Sequence, residues 1–220
     1  MRLLGCLVLI GAFLLSGCQH NYVKDAQALQ TAKICCDSYR EFPYELAKLD
    51  EKKEFLLDEK AKAYTFPEGK RFFRSFKLPV WSGPYQVTIS TSTMRGTGRE
   101  SGVIKPVIRL LDDGFSESRV VRSDVDKNWM GTHFESKVFI NESDSHERYL
   151  IIYPDEISAT NGIKERQYSG IQAGHGVLLM PVTVGSVQHD YLNQFAPTGH
   201  VNIELKSYKP RKLGENDEQG

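Results

Sequence analysis

The sequence predicts a mainly β protein, a β-sandwich of jelly-roll type with one amphipathic helix near the N-terminus. Three observations lead to this class. Short apolar or alternating segments recur along the chain, turns rich in glycine, proline and aspartate separate them, and a helical spacing of apolar residues precedes them. A chain of 220 residues is long enough to bury such a core as a single domain.

The first residues have the parts of a secretion signal. A positive start with Arg2 leads into the almost wholly apolar stretch 3–15, and the small residues Ser16 and Gly17 stand before Cys18. The apolar stretch is too short for a stable transmembrane helix and is typical of a cleaved signal.

The letters LLSGC at 14–18 resemble the lipobox of bacterial lipoproteins. The resemblance implies cleavage before Cys18, a diacylglycerol on its sulfur and a further acyl chain such as palmitate on its amine, which together anchor a protein stably. Gln19 stands in place of the aspartate that retains lipoproteins in the inner membrane, so the resemblance implies the periplasmic face of the outer membrane. The alternative is an ordinary cleaved signal and a soluble periplasmic protein.

We therefore expect a signal peptide at 1–17, a lipidated tether at 18–24, one β-sandwich domain with its helix at 25–208, and a flexible charged tail at 209–220. The formal net charge of the chain is zero at pH 7. This balance gives no electrostatic reason to expect nucleic acid or an anionic membrane face as the partner.

The helix is predicted from Asp25 to the neighbourhood of Pro43, which disfavours its continuation. Apolar residues form one stripe along it: Ala28, Ala32, Cys35, Cys36 and Tyr39. Strands are predicted at 54–57, 63–66, 72–78, 85–91, 107–111, 137–140, 149–153, 177–182 and 201–205. For the first of these a helix is the alternative, because KLDEKKEFLLDEKAKA also fits a helical pattern. The strand 149–153, YLIIY, is apolar on both faces, so we place it at the centre of its sheet.

Four stretches resemble, in their order, the maltose-operon periplasmic protein family: FPEGKRFFRSFKLPVWSGPYQVTIS, VIKPVIRLLDDGFSESRVV, RYLIIYPDE and GHVNIELKSY. The second contains the pattern P-x-V/I-x-x-L-D at 106–112, and the likeness covers residues 62–208. The resemblance implies an accessory role in carbohydrate uptake of the maltose or maltodextrin type, and it brings no catalytic residues. The sequence shows no counterpart of the Ala/Pro-rich C-terminal extension of the enteric member.

Cys35 and Cys36 stand side by side, which leaves three interpretations open: packed thiols, a vicinal or intermolecular disulfide, or a metal site. Adjacent helical residues do not face each other, and two thiols supply fewer ligands than a structural zinc site needs. The C-x-x-C spacing of thioredoxin-like proteins is absent. We favour packed thiols and keep the disulfide as the alternative.

The acidic segment 124–135 has oxygen-bearing side chains at the spacing of ligand positions in a calcium loop: Asp124, Asp126, Asn128 and Glu135. Trp129, however, stands where an EF-hand requires glycine for its sharp turn. We therefore expect a solvated loop between strands, and we expect neither a metal ion nor a cofactor.

Two glycine-rich segments are predicted as connections, MRGTGRESG at 94–102 as a long hairpin loop and YSGIQAGHG at 168–176 as a flexible link. A phosphate cradle needs a following helix, whereas the first segment leads into a strand. The second offers Tyr168, Ser169 and His175 without a G-x-S-x-G nucleophile. A hydrolase is therefore the least favoured function.

Trp81, Tyr85 and Trp129 are the candidate ligand-binding residues. Sugar rings stack on aromatic faces while polar groups fix their orientation, although aromatic side chains more often pack in cores. With the resemblance, this leads us to expect a non-enzymatic lipoprotein that assists carbohydrate transport by binding an oligosaccharide or an envelope protein. The alternative is an envelope structural or assembly lipoprotein that binds protein partners and no sugar.

Overall fold

The computed structural model describes residues 21–95, 100–128, 131–172 and 183–208. Within them the chain forms one α-helix, α1 (Tyr22–Thr31), two short 3-10 turns and a series of strands. The strands are β1 Glu45–Leu46, β2 Glu51–Leu57, β3 Lys62–Phe66, β4 Gly69–Lys77, β5 Tyr85–Ser92, β6 Met94–Arg95, β7 Glu100–Val103, β8 Pro106–Asp112, β9 Glu117–Arg122, β10 Asp124–Asn128, β11 Gly131–Ile140, β12 Glu147–Pro154, β13 Ser158–Gln172, β14 Thr183–Phe195 and β15 Gly199–Ser207. No helix in these residues is long and apolar enough to cross a membrane.

Local hydrogen bonds define both ends of α1. Asn21 caps the N-terminus, because its side chain accepts a hydrogen bond from the Lys24 amide at 3.1 Å. At the other end, the Lys70 ammonium donates to the carbonyls of Gln30 and Ala32, the kind of group that a helix C-terminus leaves unpaired. The backbone of Ala32 leaves the helical region, with φ −57° and ψ 137°, and the helix ends there.

Two sheets pack face to face and form the sandwich. One is six-stranded, with the order β1-β4-β12-β8-β9 and β3 also paired with β4, and the other is five-stranded, with the order β10-β11-β5-β15-β2. A third, four-stranded sheet has the order β13-β14-β7-β6. Its strands directly continue sandwich strands, since β6 follows β5, β7 precedes β8, β13 follows β12 and β14 precedes β15. The third sheet therefore extends both layers of the sandwich.

The strand registers define two ends of the sandwich. At the first, which we call the helix end, β2 and β15 meet at Leu57 and Gly199, and the neighbouring Thr198 hydroxyl donates to Asp25 of α1 at 2.8 Å. At the opposite end, the loop end, β4 finishes at Lys77 and the connection 78–84 leads into β5. The third sheet continues the strands at the helix end, so α1 and the third sheet lie on the same side.

The six-stranded sheet is buried on both faces. Its inner face packs on the five-stranded sheet and forms the main core, which includes Phe72, Phe76, Ile108, Leu110, Leu150 and Ile152. Its outer face carries a second cluster, which includes Phe66, Phe73, Val107, Leu111, Ile151 and Tyr153. This double burial explains why the segment YLIIY of β12 is apolar at every position.

The segment 33–44, which we call the strap, covers this outer face. Ile34 forms a bridge to Ala63, and Phe42 stacks on Phe73 with ring centroids 4.1 Å apart. Tyr44 lies 4.5 Å from the ring of Tyr149. Burying an aromatic side chain such as Phe42 contributes about 1.5–3 kcal/mol, so the strap adds substantially to the packing of the sheet.

The predicted fold class, a mainly β sandwich with one N-terminal helix, is confirmed. The predicted central position of YLIIY is also confirmed, because β12 lies between β4 and β8. The strand predicted at 177–182, the tail at 209–220 and the signal at 1–17 lie outside the described residues.

The helix bounds differ from the prediction at both ends. The helix begins at Tyr22, inside the segment expected to be tether, because Asn21 supplies the cap. It ends at Thr31, and the cysteines and Tyr39 belong to the strap. Their apolar spacing reflects contact with the sheet, not a helical period.

Candidate functional site

The predicted sugar-binding residues have different surroundings. Trp129 lies outside the described residues. Tyr85 is 2% exposed in the main core, so its ring cannot stack on a ligand, and the prediction that it does so is wrong. Trp81 is half-buried, packs against the main core and lies in the loop 78–84, where the neighbouring Val80 is 71% exposed.

An exposed aromatic pair that the sequence did not indicate lies at the same end. Phe139 is 44% exposed and Tyr208 is 52% exposed, and their rings meet edge to face with centroids 6.3 Å apart. The Tyr208 amide donates to the carbonyl of Pro84 at 2.9 Å, which joins the pair to the loop that carries Trp81. We call Val80, Trp81, Phe139 and Tyr208 the loop-end patch.

A polar network lies directly beside the loop-end patch. Arg119 donates to the Phe139 carbonyl at 2.9 Å and to the buried carboxylate of Glu147 at 2.8 Å. The Ser118 hydroxyl donates to the other oxygen of Glu147 at 2.9 Å and lies 3.2 Å from Nε2 of His146. Gln86 lies opposite Phe139 in the register and adds an amide to the same face of the sheet.

Five buried side-chain polar atoms have no hydrogen-bond partner within the described residues, and three of them lie at the loop end: Nε1 of Trp81, the hydroxyl of Tyr85 and Nε of Arg119. Burial raises the pKa of Tyr85 to about 12, so this hydroxyl stays a neutral donor near pH 7. Buried polar groups are nearly always paired, so unpaired donors that gather at one end are a sign of a site that takes water or a polar ligand.

The Ser118–His146 contact differs from a hydrolytic triad in the order of its members. In a triad the acid orients the histidine, and the histidine takes the proton of the serine. Here Glu147 binds the serine, and Nδ1 of His146 lies 3.1 Å from the main-chain carbonyl of Ser143. The arrangement therefore provides hydroxyl, imidazole and guanidinium groups that can bind a ligand, and it does not provide an activated nucleophile.

The two cysteines of the strap are joined by a disulfide between neighbouring residues. Cys36 is buried against the second cluster and Cys35 is half-buried. The favoured interpretation, packed thiols, is therefore wrong, and the alternative, a disulfide between the neighbouring cysteines, is the one the structure has. The two side chains can meet because α1 ends before the pair, whereas adjacent residues within a helix do not face each other.

The described residues of the acidic segment, 124–128 and 131–135, form paired strands and not the solvated loop that the sequence indicated. β10 pairs with β11 along its length, with Asp124 opposite Glu135 and Asn128 opposite Gly131. An extended strand cannot wrap its alternate residues around one ion as a calcium loop does. The glycine-rich segments are also more regular than expected, since Met94 pairs with Gly102 and Tyr168 lies within β13 opposite Gln188.

Comparisons with known proteins leave the sequence resemblance untested. The chain matches no family model, no curated protein and no solved structure. The likeness to the maltose-operon family, and the lipobox at Cys18, which lies outside the described residues, therefore stay predictions.

Proposed function

We propose that this protein is a non-enzymatic, lipid-anchored accessory of carbohydrate transport at the periplasmic face of the outer membrane. Cys18 carries the lipid, and the loop-end patch binds the sugar. The ligand is an oligosaccharide of the maltodextrin class, which is the class that the sequence resemblance implies.

The observation that carries the proposal is the exposed pair of Phe139 and Tyr208 beside a hydrogen-bonding network. Aromatic faces accept the apolar faces of sugar rings, and nearby amide, hydroxyl and guanidinium groups bind sugar hydroxyls. Gln86, Ser118 and Arg119 supply these groups within the neighbouring strands.

The position of α1 supports the same proposal. The chain enters the sandwich at Asn21, a few residues after Cys18, and α1 packs at the helix end. The loop-end patch lies at the opposite end, so a lipid on Cys18 leaves it facing away from the anchor. An accessory that collects a soluble oligosaccharide in the periplasm needs this orientation.

The direct test is a titration of the purified protein with malto-oligosaccharides of increasing length, followed by heat and by tryptophan fluorescence. We expect saturable binding that strengthens with chain length, because a longer oligosaccharide covers more of the patch. The double variant Phe139→Ala/Tyr208→Ala should lose at least tenfold in affinity, a loss of about 1.4 kcal/mol.

The control variant is Leu56→Ala, which removes an exposed apolar side chain at the helix end of the same sheet, where Leu56 pairs with His200. It should bind as the unmodified protein does. Absence of binding at millimolar sugar, or equal losses in both variants, would exclude the patch as a maltodextrin site.

A second candidate function is envelope assembly through a protein partner, and the long third sheet favours it. β13 has 15 residues and, in the described part of the chain, pairs only with β14. A strand edge of this length that has no partner strand within the described residues is a template for pairing with another chain. A deletion strain that leaks periplasmic contents but grows normally on maltodextrin would favour this function over the first.

A further inference from the structure

The disulfide between Cys35 and Cys36 closes no loop of chain, and this sets it apart from a structural disulfide. A cross-link stabilises a fold mainly by restricting the unfolded chain, and the effect grows with the number of residues enclosed. The sequence separation of the two cysteines is 1, so nothing is enclosed and the unfolded chain loses almost no freedom. The bond must therefore act locally, on the backbone of the strap.

The local surroundings show what the bond holds in place. The Cys35 amide donates to the carbonyl of Ala63 at 2.9 Å, and this bond ties the start of the strap to the edge strand β3. Cys36 packs with Phe42 and Phe66 in the second cluster. The ring formed by the two side chains and their shared peptide unit fixes the backbone between the half-buried Cys35 and the buried Cys36.

The same surroundings are suited to the reduced state. Sγ of Cys36 lies 3.7 Å from the carbonyl oxygen of Glu41. In the disulfide this sulfur carries no proton, whereas a thiol at the same place has an acceptor within reach. Cys35 is half-buried whereas Cys36 is buried, so Cys35 is the member of the pair that a reductant reaches more readily from solvent.

We propose that Cys35–Cys36 is a two-electron redox site whose partner is a dithiol reductant, and that its reduction releases the strap. A thiolate of the dithiol attacks Sγ of Cys35, the bond between the two cysteines breaks, and Cys36 leaves as a thiolate that takes a proton. The second thiol of the reductant then attacks the mixed disulfide and frees Cys35. Two electrons and two protons have moved to the protein, and the dithiol has become a disulfide.

The released strap uncovers a surface that the oxidised protein hides. Tyr39 and Phe42 cover Phe66 and Phe73, and Arg109 lies 5.9 Å from the ring of Tyr39. Loss of the fixed backbone at the cysteine pair lets these strap residues move away from the sheet. This inference does not rest on the sugar-binding proposal, because the strap shares no residue with the loop-end patch or with the polar network beside it.

The test compares the oxidised protein, the protein reduced with dithiothreitol in native buffer, and the variant Cys35→Ser/Cys36→Ser. We expect native-state reduction, followed by thiol titration, to give two new thiols in a protein with unchanged far-ultraviolet circular dichroism. Hydrogen exchange at the Cys35 and Phe42 amides should speed up by about tenfold or more after reduction, while exchange at Leu110 in the main core stays the same.

The serine variant keeps the proposal testable if reduction is incomplete, since it lacks the disulfide and so mimics the reduced protein without a reductant. Its exchange at residue 35 and at Phe42 should match that of the reduced protein. A disulfide that resists dithiothreitol until the protein unfolds would overturn the redox role. Equal hydrogen exchange of the strap amides in the oxidised protein, the reduced protein and the serine variant would refute the proposal that reduction releases the strap.

Discussion

Arg109 is a charged side chain that the fold has placed almost entirely out of water. Its side chain is 5% exposed, it donates to the Tyr153 hydroxyl at 2.8 Å, and it pairs with the carboxylates of Glu68 and Glu117. Its guanidinium also lies 5.9 Å from the ring of Phe66. A buried charge persists only where partners replace its water, and here partners from three other strands or turns converge on it.

We predict that Arg109→Ala lowers the free energy of unfolding by about 3–5 kcal/mol, because it leaves the hydroxyl of Tyr153 and the mostly buried carboxylate of Glu68 without their central partner. The matched control is Arg122→Ala, which removes another arginine that contacts Glu68, at 2.9 Å, from a side chain that is 52% exposed. Its loss should stay under about 1 kcal/mol. Denaturant unfolding of both variants checks the difference, and similar losses would show that burial does not decide the role of Arg109.

At the scale of elements, the hairpin of β13 and β14 depends on one close backbone contact. A Cβ atom on Gly162 would lie 2.2 Å from the carbonyl oxygen of Asn193 on the facing strand. Gly162 also follows an irregularity in the register, where pairing resumes after Ser158. Only a residue without a side chain lets the two strands approach at this point.

We predict that Gly162→Ala destabilises the protein by about 1–3 kcal/mol, because the backbone of the facing strand must shift to make room. Thr160→Ala serves as the control, since Thr160 is exposed two positions earlier, and its effect should stay within about 0.5 kcal/mol. Thermal unfolding with hydrogen exchange along β14 measures both variants. Unchanged exchange near Gln194 in the Gly162 variant would contradict the account.

The elements that the sequence predicted well are those in which apolar residues carry the pattern. β5 alternates buried and half-exposed residues, and β12 contains the apolar run YLIIY, so the sequence indicated both strands. The helix was predicted too long, because Cys36 and Tyr39 face the sheet from the strap at a spacing that resembles a helical stripe. β13 and β14 were missed because polar segments such as KERQYSG pair through backbone hydrogen bonds that composition does not reveal.

For the molecule as a whole, buried tyrosines link stability to alkaline pH. Burial raises the pKa of Tyr85 and of Tyr153 to about 12, although Arg109 lowers that of Tyr153 in part. The unfolded chain loses these protons near pH 10, whereas the folded protein keeps them until about pH 12. The folded state binds more protons in this window, so stability is full below pH 10 and falls as the pH rises toward 12.

We predict that Tyr85→Phe removes part of this alkaline loss and leaves stability at pH 7 unchanged or slightly higher. The Tyr85 hydroxyl is buried without a partner in the described residues, so its removal costs no hydrogen bond there. Tyr153→Phe is the contrasting variant, because it removes bonds to Arg109 and Glu68 and should cost about 1–3 kcal/mol at pH 7. Denaturant midpoints from pH 7 to 11 separate the two, and equal behaviour would refute the assignment.

The candidate site was predictable only in part, because it is assembled across the whole molecule. Trp81 was visible as an aromatic residue beside a turn, and the outward position of Phe139 follows from its place between the buried Val138 and Ile140. The contact of Ser118 with His146 joins residues 28 apart in the sequence. It depends on the order of β9, β8 and β12 in the sheet, which no local pattern contains.

The third sheet gives the protein a particular mechanical character. Its four strands continue two strands from each layer of the sandwich, so the third sheet joins the two layers at the helix end. Force applied to β13 or β14 passes along the strand axes into the sandwich, through β12 into the six-stranded sheet and through β15 into the five-stranded sheet. The hydrogen bonds between neighbouring strands then resist this force in shear. With the lipid anchor proposed at Cys18, tension between the membrane and a partner bound to the third sheet would pass through the helix end and leave the loop end free of load.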